Sequence, residues 1–468
     1  GLGDVYKRQW ECCRTLKMRG DEVRASTLDD DRDDARETTM RRCSDARARR
    51  SRAGSREEAR GVLEHGDDTL ARCATTGRED DGDDASMDAR SRVCSAWGHL
   101  TRERGDVRGA DEALATARAR ARSVEDCASA NAMWATHAAR RKPSERDWAS
   151  IDAALREGES RAERKGTDGT MVALVGARTL AALTRFRSEE ALEAAERCDA
   201  LIRGTASETL ESAQSSAHGW AIASAMKTLG HVERLRGSSE RAVDFYERAL
   251  AYATAVTKNE SPGAMASNII AADIKVDACL ALSQMYATMD AISEAETFAA
   301  RAVSEAEALG DEKHPRVGVC IAASGDVYVA KALRSSVNAA EGELGDGAGI
   351  MFAEGLYKSA LKLMHYPHIV EDADIVLDYE ARHLCALLHA RYSSILRASG
   401  PQRAREADAW LMSAKILWPD ERCGDANTGG VDGNETMTDA ATKLGIKNAP
   451  KVFIDLQQMA PLTAHSAA

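Results

Sequence analysis

Aromatic residues and prolines are scarce in this sequence, and segments with a strand-like pattern are almost missing. Of the 468 residues, 4% are aromatic and 8 are proline, while alanine, arginine, glutamate and leucine dominate. These four residues favour helices, whereas proline interrupts them. The composition therefore predicts an all-α protein.

Long apolar runs are also missing, since none approaches the roughly 18 residues that a membrane-spanning helix requires. The eleven cysteines are scattered singly except for the adjacent Cys12 and Cys13, and no CxxC pair occurs. This distribution argues against a disulfide framework or a zinc knuckle. We expect a soluble, intracellular and cytoplasmic protein with reduced thiols.

The balance of charge excludes another class of function. The formal net charge is −12 at pH 7 and the isoelectric point is about 5.5. A general affinity for the phosphate backbone needs a concentrated basic face. We therefore expect no nucleic-acid partner.

Catalytic motifs are missing as well. No GxGxxG, P-loop, HExxH or GxSxG stretch occurs in a strand-turn-helix context. Cys320 and Cys385 fall on apolar helix faces and are expected to be small buried hydrophobic residues. Paired carboxylates such as Glu189 and Glu190 are typical of solvated helix faces. The sequence therefore predicts no catalytic residue, no cofactor and no enzyme activity.

One segment leaves a metal site open as an alternative. It contains four histidines and two carboxylates: His365, His368, Asp374, Glu380, His383 and His389. Imidazole and carboxylate are ordinary zinc or iron ligands, but these positions do not share one helix face. The alternative function is therefore an enzyme-associated or metal-binding helical protein that uses residues 365–389, although no metal ligand is assigned.

Residues 225–252 organise the rest of the chain, because they hold two helical patterns and the turn that joins them. Small and large side chains recur there at helical spacing, with glycine in the turn. The pattern consists of Leu229 and Gly230, then Gly237, then Ala242, Tyr246 and Ala249. It predicts a helical hairpin.

This series of residues resembles the tetratricopeptide repeat, a helix-turn-helix unit of about 34 residues that stacks into a solenoid. The resemblance implies a right-handed α-α superhelix whose concave groove binds a peptide or a helix of another protein. On that basis, the chain is expected to be a non-catalytic scaffold or adaptor.

Other parts of the chain repeat the pattern. Gly98, Gly105, Ala110, Leu114 and Ala117 have the same spacing as Gly230, Gly237, Ala242, Tyr246 and Ala249. Two weaker units follow, in residues 128–140 with a capped helix from Ser144, and in residues 171–185 with residues 189–202. Three further units lie after the hairpin of residues 225–252. Their pattern residues are Leu282, Tyr286, Ala295 and Ala302; Gly325, Tyr328, Ala353, Tyr357 and Ala360; and Leu388, Tyr392, Ala407, Ala414 and Pro419.

Two details refine this prediction. Ser283 and Asp290 stand where the repeat would have glycines, so the contact between those helices is less certain from sequence. Gly310 suits a helix C-cap and Pro315 the first turn of the next helix.

Leu-Gly, a short polar spacer and His-Pro before a repeat resemble the repeat type of kinesin light chains. Tyr328 and Ala353 are 16 residues further apart than Tyr286 and Ala295, which predicts an insertion. The motif HPRVGVC, this expanded hairpin and the motif EGLYKSALKLM are together similar to an uncharacterised family of plant tetratricopeptide proteins, over roughly Gly237 to Pro419.

The ends of the chain have a different character. Residues 1–9 resemble translated adaptor sequence and are expected to be an artefact. Charge runs and few large apolar residues predict a disordered arm over residues 1–90. If translation starts at Met40, the arginine-rich stretch that follows is typical of a mitochondrial or plastid transit peptide. We expect the repeat domain to span residues 91–420 and a flexible linker and tail to span residues 421–468.

The first helix of each unit is expected to line the concave surface, because it does so in the family. These helices are predicted over residues 222–234, 275–288, 319–330 and 380–393. The partner-binding candidates on them are Lys227, Arg234, Gln284, Lys331 and Arg391. Such a cationic lining favours an acidic peptide, whereas Tyr286, Tyr328 and Tyr392 are expected to pack between helices.

A binding site for chaperone C-termini is disfavoured. Domains with that activity resemble one another in a clamp of lysine, asparagine and arginine on three successive first helices. Only Lys227 matches here, and His231, Ala281, Val319 and Ala323 occupy the other places. Lys227 is therefore expected to be an exposed helix charge.

Overall fold

A computed structural model describes residues 84–103, 107–141, 147–165, 168–185, 187–205, 219–258, 265–309, 315–338, 347–370 and 379–417. Most of the predicted arm, the whole predicted tail, Gly105, Gly310 and Pro419 lie outside these ranges. The first helix begins at Asp84, before the predicted start of the repeats at residue 91.

The described part is built from α-helices. They are α1 (Asp84–Glu103), α2 (Val107–Arg120), α3 (Val124–Ala139), α4 (Trp148–Lys165), α5 (Asp168–Thr184), α6 (Ser188–Gly204), α7 (Gly219–Leu235), α8 (Ser239–Thr257), α9 (Met265–Thr288), α10 (Ile292–Leu309), α11 (Pro315–Asn338), α12 (Gly347–Leu363), α13 (Tyr379–Ala398) and α14 (Ala404–Leu417). A short 3₁₀ turn, Pro401–Arg403, precedes the last of them. The predicted all-α class is confirmed.

Successive helices pair as hairpins and stack into a right-handed, tetratricopeptide-like superhelix. The first helices of neighbouring hairpins, from α3 to α5, α7, α9 and α11, pack directly on one another. Most second helices pack on the first helices to either side. The odd-numbered helices therefore form the crowded inner face. The stack curls enough that α1 also contacts α9.

Small residues set the distance between the two helices of a hairpin. A Cβ atom added to Gly230 would lie 2.5 Å from the Tyr246 ring, and one added to Gly325 would lie 2.8 Å from the Tyr357 ring. Both tyrosines are fully buried. The glycine in the first helix therefore makes room for the ring from the second.

Serine takes the place of that glycine in two hairpins without loosening them. The Ser283 hydroxyl donates a hydrogen bond to the Ala295 carbonyl at 3.0 Å, and the Ser393 hydroxyl donates to the Ala407 carbonyl at 2.7 Å. In the turn, Asp290 has φ of 64°, close to the 78° of Gly237. Aspartate is one of the few residues that adopts this left-handed conformation readily.

The residues that define the repeat pattern lie inside the stack. The following side chains are at most 6% exposed: Leu229, Ala242, Tyr246, Ala249, Leu282, Ala295, Ala302, Ala353, Tyr357, Ala360, Tyr392 and Ala414. Tyr286 and Tyr328 are half-buried. Most of these side chains belong to an apolar core that runs from α2 to α14 in two large clusters. Each hairpin therefore depends on its neighbours for burial.

Two predicted boundaries differ from the structure. The helix predicted from Ser144 is found from Trp148, after Asp147, whose carboxylate accepts a hydrogen bond from the Ala149 N–H at 3.1 Å. The first helix predicted to end at residue 330 continues to Asn338, so part of the insertion extends α11 beyond Tyr328. Pro315 is the first residue of α11, as predicted.

Adding a methyl group to two helical glycines should have opposite effects. A Cβ atom at Gly176 in α5 would lie 2.3 Å from the Cβ and 2.7 Å from the Cα of Ala225 in α7, where backbone cannot yield. We expect Gly176→Ala to lower the stability by about 1–3 kcal/mol. A Cβ atom at Gly355 in α12 meets nothing within 4 Å, so Gly355→Ala should raise it by up to about 1 kcal/mol. Chemical denaturation followed by circular dichroism checks both values, and effects of the same sign would contradict the predicted packing.

Candidate functional site

The inner face carries a row of charged and polar side chains, but Lys227 is not an exposed member of it. Its residue is 3% exposed, and its Nζ lies 3.1 Å from a carboxylate oxygen of Asp277 in α9. The expectation of an exposed charge is wrong, because α9 packs directly against α7 and places the Asp277 carboxylate beside Lys227. Burial lowers the pKa of Lys227 to about 8.

Asp277 joins three inner helices. Its second carboxylate oxygen accepts a hydrogen bond from Arg316 in α11, which also donates to the Asp273 carbonyl at 3.3 Å. The Asp273 carboxylate in turn pairs with His99 in α1. This chain of contacts ties α7, α9 and α11 together and fastens α1 to α9 where the superhelix curls.

A second polar group lies one turn further along α7. Arg234, which is half-buried, donates from Nη1 to Gln284 Oε1 at 3.1 Å. His231 Nδ1 lies 2.8 Å from the Tyr246 hydroxyl, and Arg234 donates to the same hydroxyl. The hydroxyl proton therefore points to Nδ1, and Nε2 of His231 carries the ring hydrogen. Burial holds the pKa of His231 well below its usual value, so the ring is neutral.

Two donors in this group have no acceptor among the described residues. They are Nε2 of His231, whose residue is 4% exposed, and Nε2 of Gln284, whose residue is 0% exposed. The orientation of the Gln284 amide is fixed, since Arg234 requires the acceptor oxygen. A buried donor without an acceptor costs about 1–3 kcal/mol, so this point of the inner face favours a hydrogen-bond acceptor.

The remaining candidates are engaged by carboxylates of the chain itself. Arg391 in α13 pairs with Asp326 in α11, which also accepts a hydrogen bond from Tyr357. Burial raises the pKa of Asp326. Lys331 lies outside this row, where its Nζ is 2.7 Å from Glu296 and its side chain is 48% exposed.

The structure therefore separates the five predicted binding residues. It brings Arg234 and Gln284 together, buries Lys227 against Asp277, pairs Arg391 with Asp326, and leaves Lys331 at the outer edge. Sequence reasoning missed His231, Asp277 and Arg316. His231 follows Lys227 and precedes Arg234 at helical spacing, so the sequence could have placed it beside them. Asp277 and Arg316 give no such signal, because their pairing depends on which helical faces meet.

In the histidine-rich segment, His389 is held by hydrogen bonds within the fold. His389 is fully buried, its Nε2 donates to the Pro367 carbonyl at 3.0 Å, and its Nδ1 accepts from the Ser413 hydroxyl at 2.8 Å. Ser413 accepts in turn from the Val370 N–H at 2.8 Å. Both ring nitrogens are thus engaged in fastening the segment after α12 to α13 and α14. Burial lowers the pKa of His389 to about 4.

The two other described histidines of that candidate metal set make separate contacts. His368 packs edge-on against Trp410, at 4.7 Å between ring centroids, and His365 is exposed in a turn with φ of 55°. The side chains of Asp374, Glu380 and His383 lie outside the described residues. Within the described ranges, no group of three or more His, Cys, Asp or Glu side chains is arranged to hold a metal ion.

The cysteines that can be placed are buried free thiols: Cys94, Cys127, Cys198, Cys279, Cys320 and Cys385. Burial raises the pKa of Cys385 to about 12 and that of Cys320 still further. The prediction that Cys320 and Cys385 are small buried hydrophobic residues is confirmed. No helix that the structure describes is long and apolar enough to cross a membrane.

Comparisons with known proteins give distant similarities. No family model and no curated protein matches the chain. BtubC (BKLC) from P. vanneervenii is similar with a TM-score of 0.34 and 14% identity, over 69% of this chain and 98% of that one. A STAND signal-transduction ATPase with a tetratricopeptide-repeat sensor from Pyrococcus horikoshii is similar with a TM-score of 0.37 and 14% identity. The match covers 78% of this chain and 47% of that one.

Aspartyl phosphate phosphatase F from Bacillus subtilis gives a TM-score of 0.39 and 9% identity, over 88% of this chain and 99% of that one. Similarities this distant say nothing about the function of the chain. The predicted similarity to a plant family finds no support in these comparisons.

Acidification should destabilise the protein through its buried neutral histidines. An unfolded histidine has a pKa near 6.5, whereas that of His389 is about 4 in the fold. The unfolded chain therefore binds the extra proton as the pH falls below 6.5, and stability is lost. His389 alone should contribute about 1 kcal/mol of this loss between about pH 7.5 and pH 5.5. Urea denaturation at both pH values measures it.

The matched variants are His389→Gln and His365→Asn. His389→Gln should be less stable at neutral pH, because it loses its hydrogen bonds to Pro367 and Ser413, but its stability should depend less on pH. His365→Asn should keep the full pH dependence, since that side chain is exposed and asparagine tolerates positive φ. Equal pH dependence in all three proteins would show that His389 is not a buried neutral histidine.

Proposed function

We propose that this protein is a non-catalytic scaffold that binds a segment of another protein on the inner face of its superhelix. The segment is an acidic peptide or helix, and one of its carboxylates is bound between α7 and α9. The observation that carries this proposal is the pair of buried donors without acceptors, His231 Nε2 and Gln284 Nε2, beside Arg234.

A carboxylate suits this position in both hydrogen bonding and charge. It has only acceptor atoms at neutral pH, and two of them can take hydrogens from two different donors. Arg234 adds a positive charge next to the Gln284 amide, since the guanidinium group stays protonated in proteins. A carboxylate would therefore satisfy both donors and be attracted by the guanidinium.

The other cations of the inner face support a local site rather than a long cationic groove. Lys227 and Arg316 share Asp277, and Arg391 is held by Asp326. These aspartates already occupy the positions that carboxylates of a long acidic peptide would take. We therefore propose that the acidic residue of the partner binds between α7 and α9. The rest of the segment would make other contacts along the inner helices.

The cellular context that we propose is the cytoplasm. The six cysteines that can be placed are free thiols. Thiols that remain unpaired suit a reducing compartment. The partner is a protein, and we propose neither a cofactor nor a metal.

Gln284 is the residue that tests this proposal most cleanly. Lys227→Glu would place a second buried carboxylate beside Asp277 and disturb the fold itself. Gln284→Glu keeps the shape of the side chain and the acceptor for Arg234, but it removes the free donor and adds a negative charge. The new carboxylate is buried, but it pairs with Arg234, so we expect this variant to remain folded and to repel an acidic ligand.

A random peptide library displayed on phage provides the ligands, with selection on the wild-type chain and counter-selection on Gln284→Glu. The enriched peptides should contain Asp or Glu. Their affinity, measured by fluorescence anisotropy with synthetic peptides, should fall at least tenfold in Gln284→Glu, which corresponds to about 1.4 kcal/mol. It should also fall with added salt.

The matched control is Gln402→Glu, the same chemical change at an exposed position of the 3₁₀ turn. This variant should bind the selected peptides as the wild type does. Enriched peptides without acidic residues, or an equal loss in both variants, would contradict the carboxylate site. Failure to enrich any peptide would contradict the scaffold function itself.

A further inference from the structure

The inner face of the superhelix is enclosed rather than open, and α7 shows this most clearly. A helix that borders an open groove keeps one exposed polar stripe. In α7, however, every residue is buried except Ser224 and Arg234, which are half-buried. Even the charged side chain of Lys227 belongs to a residue that is 3% exposed. Another part of the chain therefore covers the inner side of α7.

The helix α1 provides this cover. The inner row runs from α3 through α5 and α7 to α9, and α1 contacts both the first and the last of these four helices. A helix that touches both ends of a curved row closes the row into a ring. On the α9 side the contact is the pair between His99 and Asp273, which are 174 residues apart in the chain. The inward side chains of α5 and α7 are therefore enclosed by the ring.

The two helices α1 and α2 form a hairpin with tight packing of its own. A Cβ atom added to Gly98 in α1 would lie 2.7 Å from Cγ of Leu114 in α2. The Ser91 hydroxyl of α1 donates a hydrogen bond to the Ala117 carbonyl of α2 at 2.8 Å. These contacts hold the hairpin together independently of the rest of the stack, so it can move as one body.

A short link joins this hairpin to α3. Residues 121–123 are not helical, and a small apolar cluster that includes Cys94 and Cys127 lies beside them. In the two large apolar clusters, Leu114 is the only described residue of α1 or α2. The apolar attachment of the hairpin is thus concentrated near the link, where it can act as a pivot.

Ion pairs fasten the hairpin to the rest of the chain. They are Arg92 with Asp126 at 3.4 Å, Asp111 with Arg141 at 2.6 Å, and His99 with Asp273. In each pair one side chain remains between 18% and 24% exposed. Partly exposed pairs of this kind contribute little individually and weaken with salt. The contacts that close the ring are therefore easier to break than the apolar packing between the other hairpins.

We infer that the hairpin of α1 and α2 is a gate over the inner face. The gate is closed when His99 binds Asp273, and it opens by rotation about residues 121–123. Opening separates α1 from α9 and uncovers the inner side of α7, while the remaining hairpins keep their packing.

The gate lies close to the proposed carboxylate site. Asp273 is one helical turn before Asp277, which binds Lys227, and Lys227 is one turn before His231. Control of ligand binding rests on the proposed function: an acidic segment binds the open ring, and the gate sets the fraction of molecules that is competent to bind. The existence of the gate does not depend on that ligand.

The distance between the gate and the far side of the ring tests the inference without a ligand. Spin labels on p-acetylphenylalanine, genetically encoded at positions 108 and 297, report this distance in the full chain by double electron–electron resonance. Arg108 on α2 and Thr297 on α10 are exposed. His99→Ala should move the distribution to longer distances, because it removes the pair that closes the ring. Added salt should have the same effect on the wild type.

Asp273→Asn removes the charge of the other partner and gives a second, independent variant. It should also lengthen the distance, and the double variant with His99→Ala should show no further change, because both substitutions break one pair. Circular dichroism confirms that each variant is folded. A distance that stays unchanged in the folded variants overturns the gate.

Two controls separate gate opening from general loosening. Labels at positions 160 and 297, both exposed and both outside the gate, should keep one distance in every variant. Arg397→Ala breaks the pair between Arg397 and Asp408 at 2.6 Å, which joins α13 to α14, and should leave the gate closed. An equal lengthening in Arg397→Ala overturns the assignment of the latch to His99 and Asp273.

Acidic peptides selected on the wild-type chain test whether the gate controls the carboxylate site. Their affinity should rise at least threefold in His99→Ala, because more molecules are open, and should stay unchanged in Arg397→Ala. An affinity that does not rise while the distance lengthens overturns this control. A selection that yields no acidic peptide contradicts the carboxylate site instead, and the labelled distances still decide whether the gate exists.

Discussion

The structure depends on one repeated contact, in which a small residue of the first helix of a hairpin meets a larger side chain of the second. Gly230 lies against Tyr246, and Gly325 against Tyr357. Where serine replaces glycine, as at Ser283, its hydroxyl satisfies a carbonyl of the facing helix. Close approach lets alanines fill the remaining space, and the hairpins then stack with few aromatic residues. A chain that is 4% aromatic can therefore build a continuous core.

Close packing of the first helices also determines the electrostatics of the inner face. Helices this near to one another bring Lys227, Asp277 and Arg316 into contact, so the chain neutralises much of its own inner charge. Such a buried network costs desolvation and adds rigidity at a fixed register. The donors of His231 and Gln284 are the place where an external acceptor would find hydrogen bonds that the fold does not supply.

The sequence by itself determined the helical class and the positions of the hairpins, because small and aromatic residues at fixed spacing reflect contacts within about 34 residues. It also predicted that Cys320 and Cys385 are buried, since their helix faces are apolar. Only the tertiary structure decided which charges meet. Lys227 and Asp277 are 50 residues apart, and nothing in the local pattern shows that they share an interface. The burial of His389 between two ring-nitrogen hydrogen bonds depends on the same long-range packing, because its partners, Pro367 and Ser413, lie on either side of it in the chain.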